Sequence, residues 1–429
     1  MTIKYPSTIF KGYAYTFFSF FGITSLWVIY LQMQGLNLVE IGLCESIFHV
    51  ASFVFEVPSG VLADRFSYRF SLFWGRIASI VSAILILVAH SFWLFALSFV
   101  LSALSYNLQS GTIDALMYDS LVAPQQTKRF PNVISNLNVV IEFSQTAGVV
   151  IAGFLVHWHF ELTYVAAILI GIFGLITVLL MKEPTVPKSI DLPKQTVKSI
   201  IVMAYRTLKN NQQLRGLMIF QAVFDGICTS YYFYFQSLME THHFSGFMIS
   251  LLMVISAGMN IVGIKLTPWI QKRLAKPALV SGVSATLVGL LLLTWINWIP
   301  TLTVLFLFSQ LLASLIEPIF SSYYNEMITS QQRATLLSVA SVLFSASMIF
   351  LFPLMGWLVQ IQTFSFGFGV IGCLMLVLLL LSQKYFKKAK RKKFEAPLVS
   401  CLNVELSADP GHLSQEASHS KTGITRFLA

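Results

Sequence analysis

Twelve stretches of mainly apolar residues, most about 20 residues long, follow one another along the 429-residue chain. A segment of this length and character is long enough to cross the hydrocarbon core of a bilayer. Because no water is present there to bind backbone polar groups, such segments must be α-helices. The sequence therefore predicts an all-α integral membrane protein with twelve transmembrane helices. The predicted spans are 13–31, 40–62, 70–88, 92–116, 133–156, 162–181, 214–237, 246–270, 278–296, 301–324, 335–358 and 363–382.

The composition agrees with a membrane protein. Charged residues make up 11% of the chain, against about 25% in a typical soluble domain. The first apolar run is long and lacks a small-residue cleavage site, so we interpret it as a permanent span and not a signal peptide. The cysteines are few and scattered, which predicts neither a disulfide framework nor a metal cluster. They are Cys44, Cys228, Cys373 and Cys401.

The distribution of Lys and Arg predicts the orientation. Short loops that carry these residues stay in the cytoplasm. Every second connection carries none of them, namely 32–39, 89–91, 157–161, 238–245, 297–300 and 359–362. The alternate connections carry basic residues, so we expect both termini in the cytoplasm of a multi-pass cell-membrane protein. The net charge of +10 then reflects topological anchors and contact with lipid head groups, not nucleic-acid binding.

A long polar connection divides the predicted spans into six and six. It contains three prolines and a basic excess, which favours a cytoplasmic linker. Parallel six-span repeats with a site between them are a known plan of membrane transporters. We therefore expect two pseudo-symmetric six-helix bundles. The predicted domains are a first bundle at 1–181, the linker at 182–213, a second bundle at 214–383, and a basic then disordered tail at 384–429.

A charged motif, GVLADRFSYR, lies between the second and third spans. It resembles the signature that the major facilitator superfamily carries at this position: Gly, a spacer, Leu, Ala, Asp, Arg and a further basic residue. Ser67 stands where the family usually has Gly. The resemblance covers about residues 1–385 and implies a transporter that works by alternating access. The matching residues are Gly60, Leu62, Ala63, Asp64, Arg65 and Arg69.

The residue types in this motif suit a conformational latch. Gly60 permits close helix approach, and Arg65 and Arg69 can hold a carboxylate or a lipid phosphate with paired hydrogen bonds. We interpret Gly60, Asp64, Arg65 and Arg69 as a latch that holds the cytoplasmic ends of the two halves together in one state. A positive-inside loop with one stray Asp is the alternative. The second half has Thr267 where the Asp would stand, so the latch is expected to be asymmetric.

Other family signatures are partial. In the fifth span, GVVIAG retains Gly148 and Gly153 of an exporter motif but lacks its proline, which favours efflux weakly; a simple small-residue helix contact explains it equally well. Many exporters of the family carry an Arg four residues before a Gly in the fourth span. Here Asn107 precedes Gly111, which argues against a proton relay through that arginine.

Polar residues recur at helical spacing in four spans, which places each set on one stripe. In the resembled family, spans 2, 5, 7 and 10 line the central cavity. The stripes are Glu45, His49, Ser52 and Glu56; Asn138, Glu142 and Gln145; Gln221, Asp225, Thr229, Tyr232 and Gln236; and Gln310, Ser314, Glu317, Ser321 and Tyr324.

Depth within the spans selects the candidate site. Glu142 and Asp225 lie near the middle of their spans, one in each half, and Glu317 lies somewhat nearer the cytoplasm. Removal from water disfavours a charged carboxylate, so such a group can take up and release a proton near neutral pH. We predict Glu142, Asp225 and Glu317, with Gln221 and Tyr232, as substrate or proton sites. An internal ion pair is the competing interpretation.

Some ionisable residues have simpler expected roles. Arg76 and Lys265 lie within spans and are expected to pair with Glu56, Asp114 or Asp119. His49 is either a hydrogen-bonded partner of Glu45 or a pH-sensitive element. The HWH motif at 157–159 and the pair His242–His243 lack the partners of a metal site, and we expect no metal.

These features predict a secondary transporter that exports a small organic compound in exchange for protons. The aromatic content of 14% suits a cationic or amphipathic substrate, although plain packing explains many of the rings. The alternatives are proton-coupled uptake of a nutrient or metabolite, and a non-transporting sensor on the same fold. No phosphate-binding loop, nucleophile elbow or H-E-x-x-H motif is present, so we expect no enzymatic activity and no cofactor. We expect a monomer.

Overall fold

The computed structural model describes residues 6–122, 124–184, 209, 211–327, 333–377 and 379–380. Residues Met1–Leu379 form one compact unit, and Leu380–Ala429 form a second that lies almost wholly outside the described residues. Most of the predicted linker and nearly all of the predicted tail, including its basic run at 384–393, also lie outside them.

The described chain is a succession of α-helices without a β-strand. The helices of its first half are α1 Ser7–Ser19, α2 Trp27–Met33, α3 Leu38–Arg65, α4 Tyr68–Val88, α5 Phe92–Gln109, α6 Thr112–Val122, α7 Phe130–Leu155 and α8 Leu162–Leu180. Those of its second half are α9 Gln212–Thr241, α10 Gly246–Arg273, α11 Lys276–Leu293, α12 Ile299–Met327, α13 Arg333–Ile361 and α14 Phe364–Val377.

The described helices confirm an all-α, multi-pass membrane architecture. By length and composition, nine helical segments can cross a bilayer, and the bent pair formed by α1 and α2 makes a tenth. Helix α9 is 30 residues long but is not among these segments, and α14 is a shorter apolar helix. The count of twelve spans stays a prediction.

Local sequence signals explain where several helices begin. Asn37 accepts hydrogen bonds from the backbone of Val39 and Glu40, and the Glu40 side chain accepts from the Asn37 backbone, which forms a capping box at α3. Ser67 caps α4, Asn211 caps α9 and Ser245 caps α10 in the same way, through a side-chain oxygen. These caps satisfy amide groups that have no partner within the helix.

Two predicted spans are broken helices. The first span is not continuous: α1 and α2 meet at an angle of 42°, separated by a short 3₁₀ turn at Gly22–Thr24. The fourth is divided into α5 and α6 at Ser110–Gly111, where Gly111 has a φ of 71°. That left-handed conformation is accessible to glycine without a steric penalty.

The two halves of the chain pack against each other through three helix pairs: α3 with α13, α7 with α10, and α2 with α9. Small residues let the backbones approach. A Cβ at Gly42 would meet Pro353, and one at Gly153 or Gly246 would meet backbone atoms of the opposite half. Close backbone approach through small residues is the usual mode of helix association in membranes.

The hydrogen bonds that join the halves in the described part of the chain cluster at one end, which we call the closed end. It contains the α2–α3, α7–α8, α9–α10 and α11–α12 connections. Ser46 Oγ donates to the carbonyl of Ile349 at 2.9 Å, a carbonyl that Pro353 cannot pair within α13. Ser250 Oγ donates to the Val150 carbonyl at 2.8 Å, and Gln236 Nε2 donates to that of Ser25 at 3.1 Å.

Candidate functional site

A cavity of about 1050 Å³ lies between the two halves. Its volume is at the upper end of the roughly 300–1,000 Å³ of small-molecule sites. Residues of the broken first span, α3, α5 and α7 form the wall in the first half, and α9, α10, α12 and α13 supply the other wall. All five residues predicted as substrate or proton sites line it, namely Glu142, Gln221, Asp225, Tyr232 and Glu317.

The charge of the cavity is one-sided. Its lining holds three carboxylates, those of Glu142, Asp225 and Glu317, and within the described residues neither Lys nor Arg belongs to it. Gln221 is a hydrogen-bond partner of Asp225, and the charge of Glu317 acts on Asp225 as well. Glu142 and Glu317 are exposed, whereas Asp225 is partly buried. The arrangement places two interacting carboxylates on one wall and a third on the opposite wall.

Aromatic side chains from both halves also line the cavity. Those in the lining are Trp27, Phe48, Tyr106, Tyr232, Phe233 and Phe344. The rings of Trp27 and Phe233 come from opposite halves and lie 5.2 Å apart, centroid to centroid, and both contact Phe352 at 6.0 Å. This aromatic layer separates the cavity from the closed end. Aromatic faces attract cations and also stack on flat organic rings.

Two prolines interrupt the backbone hydrogen bonds of helices that form the cavity wall. Pro268 in α10 and Pro318 in α12 cannot donate a hydrogen bond, so the carbonyls of Ile264 and Ser314 lose their partner four residues on. Both Ile264 and Ser314 line the cavity. The two helices are held together beside these residues, because Thr267 Oγ1 donates to the Leu315 carbonyl at 3.1 Å.

Some predicted stripe residues lie elsewhere. The stripe of the second span does not line the cavity: Asn107 donates to Ser52 at 2.8 Å, and His49 lies 3.4 Å from Glu45 and 3.3 Å from Ser345 of α13. Among the described side chains of α3, Phe48 alone reaches the lining. Gln236 bonds the Ser25 carbonyl, Asn138 is not in the lining, and the side chains of Ser321 and Tyr324 are outside the described set.

The predicted ion pairs of Arg76 and Lys265 are wrong. Arg76 is 4% exposed, and its guanidinium donates to Gln109 Oε1 at 3.0 Å and lies 5.6 Å from the centre of the Tyr15 ring. Lys265 is exposed on α10, and Asp119 instead accepts from the Tyr68 hydroxyl at 2.9 Å. Neither cation lies within ion-pair distance of a carboxylate among the described residues. For Arg76, a hydrogen-bond network centred on Gln109 takes the place of the ion pair that its position within the span predicted.

The latch residues are only partly described. Helix α3 extends through Arg65, so Gly60, Asp64 and Arg65 form its last turns, but their side chains fall outside the described set. Arg69 donates from Nη2 to the Leu179 carbonyl at 2.8 Å and from Nε to that of Val178 at 3.3 Å. Glu183 accepts from the backbone amides of Tyr68 and Arg69. Arg69 therefore contacts the end of α8 within its own half in this structure.

Comparisons with known proteins agree with this architecture. The family model of the Major Facilitator Superfamily matches residues 12–325 and 266–414. The chain belongs to the Major Facilitator Superfamily. A relative described as an uncharacterized transporter of this superfamily, YxaM of Bacillus subtilis (strain 168), is 31% identical over 117 residues. That match spans 27% of the chain and 28% of the relative, so it supports the family and no particular substrate.

Solved structures show the same fold. The nucleoside transporter NupG has a TM-score of 0.68 at 15% identity, covering 89% of this chain and 100% of NupG. A POT family transporter in complex with a thioalcohol-conjugated peptide has a TM-score of 0.67 at 13% identity, covering 89% of this chain and 96% of that one. At these identities the likeness concerns the fold alone.

The sequence pattern did not indicate every lining residue. Trp27, Asn260 and Tyr106 line the cavity but lie outside the polar stripes. Trp27 becomes accessible because the first span breaks just before it, and the glycine at position 22 was the available signal for that break. Asn260 of α10 lies four residues after Ser256, which also lines the cavity, and this helical spacing was the available signal on that helix.

Proposed function

We propose that this protein is an alternating-access transporter that exports a small organic cation, or an amphipathic compound carrying a positive charge, in exchange for protons. The observation that carries the proposal is the lining of the central cavity, with three carboxylates, several aromatic rings and no basic residue among those described. An organic cation satisfies both features, because the carboxylates neutralise its charge and the rings bind its apolar body.

The same carboxylates provide a reason for proton coupling. Negative charges held together in one cavity repel one another, and either a proton or a bound cation relieves the repulsion. Asp225 and Glu317 interact in this way on one wall. Substrate and protons therefore compete for the same negative charge. Competition of this kind couples the movement of one cation to the opposite movement of the other, which is antiport.

The contacts between the halves support alternating access. At the closed end the halves meet through hydrogen bonds from side chains to backbone carbonyls and through glycine contacts, whereas Glu142 and Glu317 are exposed in the cavity on the other side of the aromatic layer. The positive-inside rule assigns the closed end to the outside of the cell. The structure then represents an inward-open state, and the latch around Asp64 stabilises the opposite one.

A second candidate is proton-coupled uptake. It is favoured by the structural neighbours, which are described as a nucleoside transporter and as POT family transporters, one of them in complex with 5-aminolevulinic acid. An uptake system would use the carboxylates to carry protons inward together with a neutral or zwitterionic substrate. The two candidates differ in whether substrate binding releases protons or requires them.

Proton release on substrate binding distinguishes these functions. Purified full-length protein in weakly buffered detergent solution is mixed with tetraphenylphosphonium, and in parallel with uridine and a dipeptide. The variants are Asp225→Asn, Glu142→Gln and Glu317→Gln. Glu161→Gln is the control, because Glu161 lies in the α7–α8 connection outside the cavity lining.

We expect the organic cation to release protons from the unmodified protein and from the Glu161→Gln control. Release should be lost or reduced in at least one of the cavity variants. Binding of the cation without proton release, unaffected by all three cavity variants, would refute the antiport mechanism. Proton uptake on addition of uridine or the dipeptide would instead support the uptake candidate.

A further inference from the structure

A second cavity, of about 620 Å³, lies at the closed end of the molecule. Both halves of the chain form it. Gln32, Asn37 and Leu38 of the first half face residues from the end of α9, the α11–α12 connection, and the junction of α13 with α14. We call it the closed-end pocket. Its volume lies within the roughly 300–1,000 Å³ of sites for small molecules.

Contacts between the halves separate this pocket from the central cavity. The Tyr234 hydroxyl donates to the Leu38 carbonyl of the opposite half at 3.4 Å, and the Gln236 amide donates to the Ser25 carbonyl at 3.1 Å. Gly42 packs against Pro353 at the same level. The closed-end pocket is therefore a separate compartment, reached from the opposite side of the membrane to the one toward which the central cavity extends.

The two cavities differ in their chemistry. The central cavity is acidic, whereas the lining of the closed-end pocket contains no Asp, Glu, Lys or Arg among the described residues, and His242 is its only titratable group. Side-chain amides and hydroxyls supply its polarity, and Leu38, Leu238 and Phe364 supply apolar surface. A lining of this kind does not compensate a charged ligand, because a buried charge requires a partner of opposite sign.

The hydrogen bonds of the amides define what the pocket offers. The Oδ1 atom of Asn37 accepts from backbone amides of α3, and Gln360 Oε1 accepts from the Val39 amide at 3.2 Å across the two halves. Since a backbone amide is a donor, the accepting atom must be the side-chain oxygen. Asn297 Oδ1 similarly accepts from the Ser365 hydroxyl at 2.6 Å.

These bonds leave the NH₂ groups of Asn37, Asn297 and Gln360 without a protein acceptor among the described residues. Gln32 lacks a donor instead of an acceptor: its Oε1 atom is buried and accepts no hydrogen bond from any described residue. Asn37, Asn297 and Gln360 are exposed, so among the described lining residues only the Gln32 oxygen is a buried unpaired group, and buried polar groups are nearly always paired with protein, water or ligand. The pocket thus offers several amide donors, the buried unpaired oxygen of Gln32, and hydroxyls that can donate or accept, with apolar surface beside them.

We propose that the closed-end pocket is a second binding site, for a small uncharged molecule rich in hydroxyl and carbonyl oxygens, of the sugar or nucleoside class. Oxygens of the ligand accept from the free amide groups, a hydroxyl donates to Gln32 Oε1, and the ring lies on the apolar surface. The ligand contacts Gln32 of one half and Gln360 of the other, so it binds only while this end is closed. A ligand selective for one state shifts the population toward it.

A cysteine-protection experiment tests the site. In full-length protein with its native cysteines replaced, Thr241→Cys places a thiol in the closed-end pocket and Thr229→Cys places one in the central cavity. The purified variants are labelled with a maleimide dye in the presence of uridine, glucose or sucrose. We expect at least one probe to slow labelling of Thr241→Cys by about tenfold when present at ten times its dissociation constant, with little change at Thr229→Cys.

The Gln32→Leu variant removes the unpaired acceptor and should abolish the protection. Gln34→Leu is the matched control, because Gln34 is exposed two residues further on and does not line the pocket. Protection that survives Gln32→Leu, or that is as strong at Thr229→Cys, would overturn the assignment. Failure of every probe to protect Thr241→Cys would overturn it too. These outcomes are independent of proton exchange in the central cavity, so they do not decide the proposed function.

Discussion

Gly42 offers a direct way to force the closed end apart. A methyl group at this position would lie 2.7 Å from the Cα atom of Pro353 and 3.0 Å from the Tyr234 hydroxyl. Carbon atoms pack best at about 3.5 Å or more, so α3 and α13 must separate by roughly 0.8 Å. The neighbour is backbone of the opposite half, which cannot rotate away as a side chain can.

The cost of such overpacking is about 1–3 kcal/mol. It applies only to the state in which this end is closed, because the two helices separate when it opens. The ratio of open to closed molecules should therefore rise by roughly 5- to 150-fold. Alanine is a better helix former than glycine, so Gly42→Ala should not weaken α3 itself.

Accessibility of the central cavity from the closed end measures this shift. Thr229→Cys, in protein without its native cysteines, is labelled in membrane vesicles by a membrane-impermeant maleimide applied at that end. Gly42→Ala should raise the labelling rate. Gly289→Ala is the matched control, since a methyl group there meets no atom within 4 Å. Equal rates in the two variants would refute the assignment of Gly42 to the contact that closes this end.

Three further changes have defined expectations. Gly153→Ala should open the same end, because its methyl group would lie 2.9 Å from the Ser250 amide nitrogen of α10, and the same labelling assay reports it. Gln109→Leu should lower the thermal stability of the purified protein by more than Arg76→Met does. Gln109 Oε1 accepts from Tyr15, Ser19 and Arg76, and each donor left without its acceptor costs about 1–3 kcal/mol. Arg76→Met instead removes a buried charge together with its need for a partner. An equal or smaller loss for Gln109→Leu would contradict the network. Trp27→Leu should weaken binding of tetraphenylphosphonium by about 3- to 30-fold, the loss of one cation–π contact of roughly 0.7–2 kcal/mol, with equilibrium dialysis as the measurement; unchanged affinity would exclude Trp27 from the site.

The apolar runs predicted the helices well where a span is regular. The predicted third and sixth spans, 70–88 and 162–181, coincide with α4 and α8 to within two residues. Hydropathy alone did not reveal the breaks in the first and fourth spans. The glycine at position 22 was a local signal for the first break, but its packing against Gly148 of α7 is a contact between distant parts of the sequence. The break at Gly111 had a local signal in the glycine itself.

The candidate site was predictable to the extent that polar residues share a helical face. That rule placed Glu142, Asp225 and Glu317 correctly in one cavity. It was wrong for the second span, because His49 faces Ser345 of α13 in the opposite half and Ser52 accepts from Asn107, so neither lines the cavity. A stripe of polar residues shows that a face is not exposed to lipid, but it does not show whether water or another helix covers that face.

Transport in reconstituted vesicles tests proton-coupled export most directly. Proteoliposomes containing the purified protein are loaded with tetraphenylphosphonium and given a pH gradient, acidic on the side of the closed end. An antiporter should move the cation toward the acidic side faster than without a gradient, and this stimulation should be absent in Asp225→Asn or Glu142→Gln vesicles. A rate of cation movement that is the same with and without the pH gradient would contradict proton-coupled export. Gradient-driven movement of the cation and protons in the same direction would contradict it as well.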